Sequence, residues 1–477
     1  MTEQTSTIYA LSTPAGRGAI AIIRLSGPRV ASALMALTNK PLPAPRESVV
    51  RYLYHPQSKA ALDEALVLYF KAPHSFTGED MVEFHLHGGP MVVGSVLEAL
   101  AEIDGLSPAE AGAFSKRAVL NGRMDLTRAE AIADLIDAET QAQQSQALRQ
   151  MQGALGVLYR DWRQQLAAAL AHWEADIEFA DEDLEEDLQE DSAGGIERAV
   201  LANLRQLADD MAKHLAEPRG QSLRAGIELA LIGAPNVGKS SLLNRLAGRE
   251  AAIVSARAGT TRDIVEIRLA LGGVPVTIAD TAGIQEAGDD IEREGVRRAR
   301  KKADEADIRL FVYAPDVVAE MLPITAQEGD FHIANKCDLQ TVEPSQFDKQ
   351  KIWPLSAKTG EGLTAFLPVL EEVVKNRFGL TEHPALTRTR HREAVQKAYN
   401  ALMRALQGAE NGDTENEGIK SKEVGKSANK NRTDIKLAPE LIAEDIRLAM
   451  REIGRITGEV DIESLLDIVF RDFCIGK

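Results

Sequence analysis

The segment Gly233–Ser240, which reads Gly-Ala-Pro-Asn-Val-Gly-Lys-Ser, constrains the fold of this chain more than any other. It follows the apolar run Ile227–Ile232 and precedes the helix-like run Ser241–Leu246, which is the strand–loop–helix order of a phosphate-binding loop. Glycines at both ends let backbone N–H groups turn toward phosphate oxygens, and the following helix adds its positive N-terminal end. We predict that Lys239 reaches the outer phosphates of a nucleotide and that Ser240 binds Mg²⁺.

Four further motifs follow this loop in the order that a GTPase requires. They are Gly259-Thr260-Thr261, Asp280-Thr281-Ala282-Gly283, Asn335-Lys336-Cys337-Asp338 and Ser356-Ala357-Lys358. The aspartate of an Asn-Lys-x-Asp motif can accept hydrogen bonds from two N–H groups of guanine, which adenine does not present in that arrangement. A phosphate-binding loop alone would not decide between ATP and GTP. Together with the guanine-selecting motif, it predicts a GTPase domain.

Ile284 stands directly after the Asp-Thr-Ala-Gly motif, where Ras-like enzymes orient the attacking water with a glutamine. An isoleucine side chain cannot hydrogen-bond water, so we expect another group to complete catalysis. The same segment offers acidic candidates at Glu286, Asp289, Asp290, Glu292 and Glu294. A bound cation or a partner protein could supply the missing positive charge.

The formal net charge of the 477-residue chain is −17, which by itself argues against a nucleic-acid partner. However, Asp176–Asp191 holds ten acidic residues and no basic one, so this segment supplies much of the excess. We predict that it is a solvated or mobile connection. The basic segments Arg293–Lys302 and Arg388–Arg392 are interpreted as solvated helix faces, with nucleic-acid contact as the minority interpretation.

The sequence contains no run apolar enough to span a bilayer, and its amino terminus lacks the features of a secretion signal. We therefore expect a cytoplasmic protein without a membrane partner. Cys337 and Cys474 fall in separate segments, so a disulfide framework is not expected. The spacing of Cys474 from the carboxyl end matches a prenylation site, but Gly476 and Lys477 do not fit one. Cys474 is either a small buried residue or an exposed functional thiol.

Residues 1–122 are predicted to form an α/β domain. The expected strands are Ala19–Leu25, Val49–Tyr54, Glu64–Phe70 and Met81–His87, followed by a helix over Pro90–Ile103 and another that starts at Ser107-Pro108-Ala109-Glu110. Alternation along Met81–His87 places Glu83, His85 and His87 on one face. A metal site there lacks an obvious further ligand, so we favour polar residues on a half-exposed strand.

The remaining segments read as helices around an inserted GTPase domain. Thr127–Glu130 is interpreted as a capping box, and Leu158, Trp162, Leu166, Leu170, Trp173 and Ile177 form an apolar stripe. Helical spacing returns in Ile196–Leu215, Arg388–Leu406, Pro439–Ile453 and Asp461–Phe473. The predicted domains are therefore residues 1–122, a helical part at 123–220, the GTPase domain at 221–380 and a second helical part at 381–477. The last contains a predicted mobile insertion at 408–436.

These motifs together resemble the MnmE family of tRNA-modifying GTPases, also called TrmE, over nearly the whole chain. The resemblance is carried by Gly16-Arg17-Gly18 with Arg24, Phe76-Thr77-Gly78-Glu79-Asp80, His87-Gly88-Gly89-Pro90, Ala129–Asp137, the GTPase motifs and the Phe-Cys-Ile-Gly-Lys end. The main departure is the insertion Gly408–Lys436, which leaves the motifs untouched.

The resemblance implies an amino-terminal tetrahydrofolate-binding and dimerising α/β domain, a discontinuous helical domain and an inserted Ras-like domain. It implies a homodimer that acts with MnmG, a partner that uses FAD and NADH. Together they would add an aminomethyl or carboxymethylaminomethyl group to C5 of the wobble uridine, position 34, of certain tRNAs. The one-carbon unit would come from 5-formyltetrahydrofolate or a related folate.

The resemblance also implies the site residues. Folate would be bound by Arg24, Glu83, Arg123 and Lys477, Mg²⁺ by Ser240 and Thr261, and K⁺ by Asn236, Ser255, Arg257 and Thr260. Catalysis would use Glu292, which would position water, together with Asn236 and Lys239. The GTP-binding residues would be Asn236, Val237, Gly238, Lys239, Ser240, Ser241, Ser255, Ala256, Arg257, Ala258, Gly259, Thr260, Thr261, Asp280, Thr281, Ala282, Gly283, Asn335, Lys336, Asp338, Ser356, Ala357 and Lys358.

Two other classes of function stay open. One is a GTP-dependent switch in ribosome assembly that performs no modification chemistry, although the chain has no recognisable RNA-binding module. The other is a folate-dependent transferase that is merely regulated by GTP.

Overall fold

The computed structural model describes residues 6–179, 190–248, 266–279, 300–315, 324–340, 352–381, 383–418, 439–471, 473, 475 and 476. The chain divides into two compact units. The first comprises residues 1–133, 150–207 and 397–477, and the second comprises residues 134–149 and 208–396. The domain boundaries predicted after residues 122, 220 and 380 stay a prediction.

The first unit contains a six-stranded sheet in the order β3-β4-β5-β2-β1-β6. Its strands are β1 (Thr7–Leu11), β2 (Ile20–Ser26), β3 (Ser48–Tyr54), β4 (Ala61–Phe70), β5 (Met81–His87) and β6 (Leu106–Pro108). Neighbours are antiparallel except β1 and β6, which are parallel. The four predicted strands are confirmed, whereas β1 and β6 were not predicted.

Alternation along the strands gives this sheet two different faces. On one face, residues such as Ile23, Leu25 and Phe84 are fully buried and pack with α1 (Val30–Thr38) and α2 (Pro90–Ala101). On the opposite face, the intervening residues Arg24, Glu83 and His85 stay partly exposed. The expected shared face of Glu83 and His85 therefore lies away from the hydrophobic core.

The helix predicted to start at Ser107-Pro108-Ala109-Glu110 is wrong. Ser107 and Pro108 pair with Ile8 and Tyr9 of β1, and the Ala109 N–H donates to the Tyr9 carbonyl at 2.8 Å. The backbone N–H and C=O groups of this segment therefore pair in the sheet and cannot form helical hydrogen bonds. Pro108 is tolerated because β6 is an edge strand. Helix α3 (Ala113–Leu120) begins only after Gly112, whose φ of 69° is left-handed.

Helices form the rest of the first unit and continue into the second. They are α4 (Leu126–Ile136), α5 (Gln141–Met151), α6 (Ala154–Phe179), α7 (Glu190–Ala216), α11 (Thr389–Gly418), α12 (Pro439–Thr457) and α13 (Ile462–Phe470). The stripe predicted on α6 is confirmed at Trp162, Leu166, Leu170 and Trp173, which are buried. Helix α6 packs against α12.

Two details of the helical predictions are wrong. Thr127 does not cap α4, because the carboxylate of Asp125 accepts the Arg128 N–H at 2.9 Å and the Thr127 hydroxyl at 2.7 Å. Asp125 is the cap because it immediately precedes Leu126, the first residue of α4, so its carboxylate can accept an N–H of the first helical turn. The insertion expected at 408–436 begins too early, since α11 continues through Gly418. Residues 419–438, and residues 180–189 of the acidic run, lie outside the described residues.

The second unit is built on another six-stranded sheet, in the order β12-β11-β10-β7-β9-β8. Its elements are α8 (Arg219–Ala225), β7 (Ile227–Ile232), α9 (Lys239–Ala247), β8 (Glu266–Leu271), β9 (Val274–Ala279), β10 (Ile308–Tyr313), β11 (Phe331–Ala334), β12 (Ile352–Pro354) and α10 (Leu363–Phe378). All neighbours are parallel except β8 and β9. This is the strand arrangement of a Ras-like domain, so the predicted fold class is confirmed.

In the sequence, the runs Glu266–Leu271 and Val274–Ala279 on either side of Gly272-Gly273 predict a hairpin. The structure confirms it, because β8 and β9 pair in antiparallel register from Leu271 and Val274 outward. Both glycines have positive φ, 57° and 83°, as a two-residue hairpin turn requires. A Cβ at Gly272 would lie 2.5 Å from the Glu371 carbonyl, so this turn also needs a residue without a side chain.

The basic segment Arg388–Arg392 is not a solvated helix face, contrary to the prediction. His391 is buried, the Arg388 guanidinium donates to Asp134 Oδ1 at 2.7 Å, and Arg392 donates to the Leu215 carbonyl. An arginine can be buried when a carboxylate or carbonyl satisfies it, and here those acceptors come from distant parts of the sequence. Residues 293–299 of the other basic segment lie outside the described residues.

Within the part of the chain that the structure describes, no helix is both long and apolar enough to cross a membrane.

The closely packed Gly112 gives a test of the first unit. A Cβ there would lie 2.9 Å from Phe470 Cδ1 and 3.0 Å from Phe473 Cβ, in addition to the strain of its positive φ. We expect Gly112→Ala to lower the free energy of unfolding by about 2–4 kcal/mol. Gly122 is the matched control, because its φ of 66° is similar and nothing lies within 4 Å of its added Cβ.

We expect Gly122→Ala to cost only about 1 kcal/mol, the strain contribution alone. Urea denaturation followed by circular dichroism measures both variants. Equal destabilisation by the two substitutions would show that contact with Phe470 and Phe473 does not constrain Gly112.

Candidate functional site

The predicted phosphate-binding loop joins the carboxyl end of β7 to the first turn of α9, as a strand–loop–helix motif requires. Asn236 and Gly238 have positive φ, 62° and 94°, so the backbone turns sharply before the helix begins. The Lys239 ammonium is buried and donates to the carbonyls of Gly233 and Ala234 at 2.8 and 2.9 Å. The lysine is thus folded back over its own loop.

Asn335 connects three of the predicted GTP-binding segments. Its amide nitrogen donates to the Val237 carbonyl at 2.7 Å, and its amide oxygen accepts the Ala357 N–H at 2.9 Å. The side chain is buried, with 2% of its surface exposed. A Cβ at Gly238 would lie 2.2 Å from Asn335 Nδ2, so the close approach of the two segments requires glycine. The phosphate loop, Asn-Lys-x-Asp and Ser-Ala-Lys are therefore brought together through one buried amide.

The groups predicted to meet the nucleotide lie at the surface around this amide. Ser240 and Ser241 are exposed in the first turn of α9, and Asp338 and Lys358 are exposed in the two base-recognition segments. Lys336 adopts a left-handed φ of 63° between Asn335 and Cys337. This arrangement offers a helix N-terminus and an ammonium for phosphates, a hydroxyl for Mg²⁺ and a carboxylate for guanine.

Cys337 lies within the Asn-Lys-x-Asp motif and is a free thiol. Burial raises the pKa of its thiol, and the negative charges of Glu361 and Asp338 act in the same direction. The thiol is therefore protonated at neutral pH, which favours a packing role over a nucleophilic one.

Several predicted site residues lie outside the described residues, and their roles stay a prediction. They are Ser255, Ala256, Arg257, Ala258, Gly259, Thr260, Thr261, Asp280, Thr281, Ala282, Gly283, Glu292, Cys474 and Lys477. The proposed Mg²⁺ ligand Thr261, most of the proposed K⁺ ligands and the water-positioning Glu292 belong to this group.

A second candidate site lies on the partly exposed face of the sheet in the first unit. Arg24 of β2 and Glu83 of β5 are directly paired across the strands, and the Arg24 guanidinium donates twice to Glu83 Oε1, at 2.9 and 2.8 Å. The guanidinium carbon lies 5.4 Å from the centre of the Phe76 ring and 5.7 Å from that of Phe114. Two of the residues expected at the folate site are thus paired, and the guanidinium of one lies within cation–π distance of two aromatic rings.

The loop that carries Phe76 is fixed by a buried polar network. Arg117 donates to Glu79 at 2.9 Å and to the Ser26 carbonyl at 3.3 Å, and the Ser26 and Thr77 hydroxyls are 2.6 Å apart. Sequence reasoning missed Arg117 and Phe114 as parts of this site. The sequence does not single out Arg117, because it stands beside a second basic residue, Lys116, in α3, and only the structure shows that it is buried.

Of the other two predicted folate residues, the structure describes Arg123 and the segment that precedes Lys477. The Arg123 side chain packs against Gly78, where an added Cβ would lie 3.1 Å from Arg123 Cγ. Ile475 forms an isolated bridge with Ala111, and the Ser12 hydroxyl donates to the Gly476 carbonyl at 3.2 Å. The chain therefore runs beside the end of β1 just before Lys477.

The two histidines of β5 each lie near one carboxylate among the described residues. His87 Nδ1 lies 2.7 Å from Asp63 Oδ1, while His85 Nε2 lies 3.5 Å from Glu83 Oε2. Among the described residues, no group of three or more His, Cys, Asp or Glu side chains is arranged to hold a metal ion.

Comparison with known proteins decides the family. The family model described as "GTP-binding protein TrmE N-terminus" matches residues 7–123, and the "MnmE helical domain" model matches residues 126–474. A tRNA modification GTPase MnmE of Parvibaculum lavamentivorans is 48% identical over 474 residues, which cover 99% of this chain and 100% of that protein. The chain belongs to the MnmE family.

Other relatives in the MnmE family match with similar coverage. The tRNA modification GTPase MnmE of Paramagnetospirillum magneticum is 49% identical over 476 residues, or 99% of each protein. The mitochondrial 5-taurinomethyluridine-[tRNA] synthase subunit GTPB3 of Danio rerio is 42% identical over 499 residues, covering 99% of this chain and 93% of that protein.

The Asn335 bridge predicts a measurable coupling between the GTP-binding segments. Asn335→Ala would leave the buried Val237 carbonyl and Ala357 N–H without their partner, so we expect the second unit to lose about 2–4 kcal/mol of stability. We also expect GDP affinity, measured by fluorescence titration, to fall at least about tenfold because the loops are no longer held together.

Thr359→Ala is the control for this prediction, because Thr359 lies in an adjacent exposed turn and accepts only the Glu361 N–H, at 3.3 Å. It should change stability by less than about 0.5 kcal/mol. Unchanged GDP binding in Asn335→Ala would show that the bridge does not organise the nucleotide site.

Proposed function

We propose that this chain is a K⁺-activated GTPase that acts in tRNA modification. With an MnmG-type flavoprotein, it would add an aminomethyl or carboxymethylaminomethyl group to C5 of the wobble uridine, position 34, of certain tRNAs. The Asn335 bridge between the phosphate and guanine segments is the observation that supports GTP as the substrate. The names of its relatives, tRNA modification GTPase and 5-taurinomethyluridine synthase subunit, support uridine in tRNA as the target.

In this proposal, the chain's own residues bind and orient GTP. The first turn of α9 and Lys239 would hold the phosphates. Asp338 would accept hydrogen bonds from guanine, because it is exposed and belongs to the same Asn-Lys-x-Asp motif as the buried Asn335. Ser240 and Thr261 would hold Mg²⁺, which neutralises phosphate charge when bound. The exposed hydroxyl-bearing side chain at the start of α9 fits that role.

K⁺ would compensate for the lack of a catalytic glutamine at the position of Ile284. Asn236 is exposed and in a left-handed conformation at the outer edge of the phosphate loop, where its amide oxygen suits a hard cation. With Ser255, Arg257 and Thr260 it would hold K⁺, whose charge would stabilise the transition state in place of an arginine finger. Glu292 would position the attacking water.

Folate would bind at the Arg24–Glu83 pair, with Arg123 and Lys477 meeting its negatively charged glutamate tail. The residues fit such a ligand, because both hydrogen bonds that Arg24 donates to Glu83 end on Oε1, so the carboxylate retains acceptor capacity at Oε2 for an N–H donor of a pterin ring. Phe76 and Phe114 add aromatic surface beside the pair. The bound folate would supply the one-carbon unit. A homodimer, a cytoplasmic location and an amino-terminal domain that dimerises belong to the same proposal.

Potassium dependence gives a direct test of the GTPase part. We expect GTP hydrolysis by the full chain to be at least about tenfold faster in KCl than in NaCl at equal ionic strength, the scale of one transition-state contact. Asn236→Ala should abolish the difference, whereas Asn244→Ala, a change at an exposed position on α9, should retain it. Equal turnover in both salts for the unaltered protein would contradict K⁺ activation, and an unchanged rate in Glu292→Ala would exclude that residue from the chemistry.

Nucleoside analysis of tRNA tests the function as a whole. We expect tRNA from cells that lack this protein to lose the modified wobble uridine, and the unaltered gene to restore it. Mass spectrometry of digested tRNA measures both. Normal modification in the deletion strain would refute the proposal, and a simultaneous defect in ribosomal subunits would favour an assembly switch.

A further inference from the structure

His85 is a polar residue of the sheet's open face that the proposed function does not use. It lies two residues after Glu83 on β5, on the same face as Arg24, and its side chain is 24% exposed. Its Nε2 atom is buried and makes no hydrogen bond to any described residue. Buried polar atoms normally have a partner, so an orphan at a candidate ligand site calls for a functional explanation.

The carboxylate of Glu83 lies close to this atom. His85 Nε2 lies 3.5 Å from Glu83 Oε2, whereas Arg24 contacts only Oε1. A separation of 3.5 Å is too long for a good hydrogen bond, and a small rotation of the carboxylate would shorten it. Hydrogen bonds at ligand sites are often long without the ligand and tighten in the complex.

Fixing one oxygen does not fix the plane of a glutamate carboxylate, because its last side-chain torsion is broad. Arg24 anchors Oε1, and an N–H donor at Oε2 would set the plane of the group. A carboxylate held in advance binds a planar N–H donor pair more tightly than one that must be ordered on binding.

We propose that His85 is a positioning residue of the folate site, which orients the Glu83 carboxylate through a hydrogen bond from Nε2–H to Oε2. The inference rests on the proposed folate function. It assigns His85 no contact with the reacting atoms, since its role is to orient the carboxylate that meets the pterin ring.

Three substitutions at His85 test this role by titrating the full-length protein with 5-formyltetrahydrofolate in a calorimeter. Gln carries an amide nitrogen near the position of Nε2, so His85→Gln should bind within about threefold of the unaltered protein. Asn reaches only to the position of Nδ1, and Phe has no donor. His85→Asn and His85→Phe should each weaken binding at least about tenfold, as expected for loss of a hydrogen bond to a charged group.

His87 provides the matched control, because it lies two residues further along the same strand face but is 73% exposed and contacts Asp63. His87→Gln should bind 5-formyltetrahydrofolate with unchanged affinity. The thermal unfolding midpoint of every variant is measured in parallel. Should His85→Phe fail to fold, the comparison of His85→Gln with His85→Asn still decides.

The outcomes separate this inference from the proposed function. Absence of binding by the unaltered protein would refute the folate site itself. Normal binding by the unaltered protein together with normal binding by His85→Asn would overturn only the role of His85. Better binding by His85→Asn than by His85→Gln would also overturn it, because the ligand would then depend on Nδ1.

Discussion

The nucleotide site of the second unit depends on one buried amide, that of Asn335. Its two hydrogen bonds, to the Val237 carbonyl and from the Ala357 N–H, join loops that follow three different parallel strands. Parallel strands bring the loops at their carboxyl ends to the same edge of a sheet, but they do not fix the distance between them. A buried amide that both donates and accepts fixes that distance, because leaving either partner unsatisfied would cost about 1–3 kcal/mol. Gly238 is required at the contact for the same reason, since a Cβ would lie against the amide nitrogen.

The first unit places its candidate site on a sheet whose other face is hydrophobic core. Side chains alternate along a strand, so β2 and β5 bury Ile23 and Phe84 against α1 and α2 and carry Arg24 and Glu83 on the open face. The strands that carry the site are therefore held in place by the core, while the site itself stays partly exposed. The side of the site that carries Phe76 is a loop, not a strand, and hydrogen bonds hold this loop in place, among them those of Arg117 to Glu79 and of the Asn121 amide to the Thr77 carbonyl. Such support is needed because loops are otherwise the most mobile parts of a binding site.

The sequence predicted local features well where a pattern has one physical cause. Gly272-Gly273 between two β-prone runs indicates a tight hairpin, which the structure contains. The phosphate-loop motif likewise predicts a strand before it and a helix after it, and these are β7 and α9. Errors arose where a distant partner decided the outcome. Ser107-Pro108 has the pattern of a helix start, but its backbone pairs with β1 in the sheet. Arg388 was predicted to be solvated, but it donates a hydrogen bond to Asp134. The Asn335 bridge shares that difficulty, because the motif predicts guanine recognition but not the contacts that its asparagine makes within the protein.

Ion pairs in this chain differ in how completely they are satisfied, and that difference separates scaffold from site. Arg309 donates to both oxygens of Asp330, at 2.9 and 2.6 Å, and Asp330 Oδ2 also accepts the Gln327 N–H. Both side chains are only 8% exposed, so this pair is a buried structural unit in which the two charges satisfy each other. Arg24 instead directs both donors to one oxygen of Glu83 and leaves the other facing an imidazole at 3.5 Å. A partly buried ion pair whose hydrogen bonds stay incomplete costs stability. Of the two ion pairs, the Arg24–Glu83 pair is therefore the one that supports the proposed ligand site.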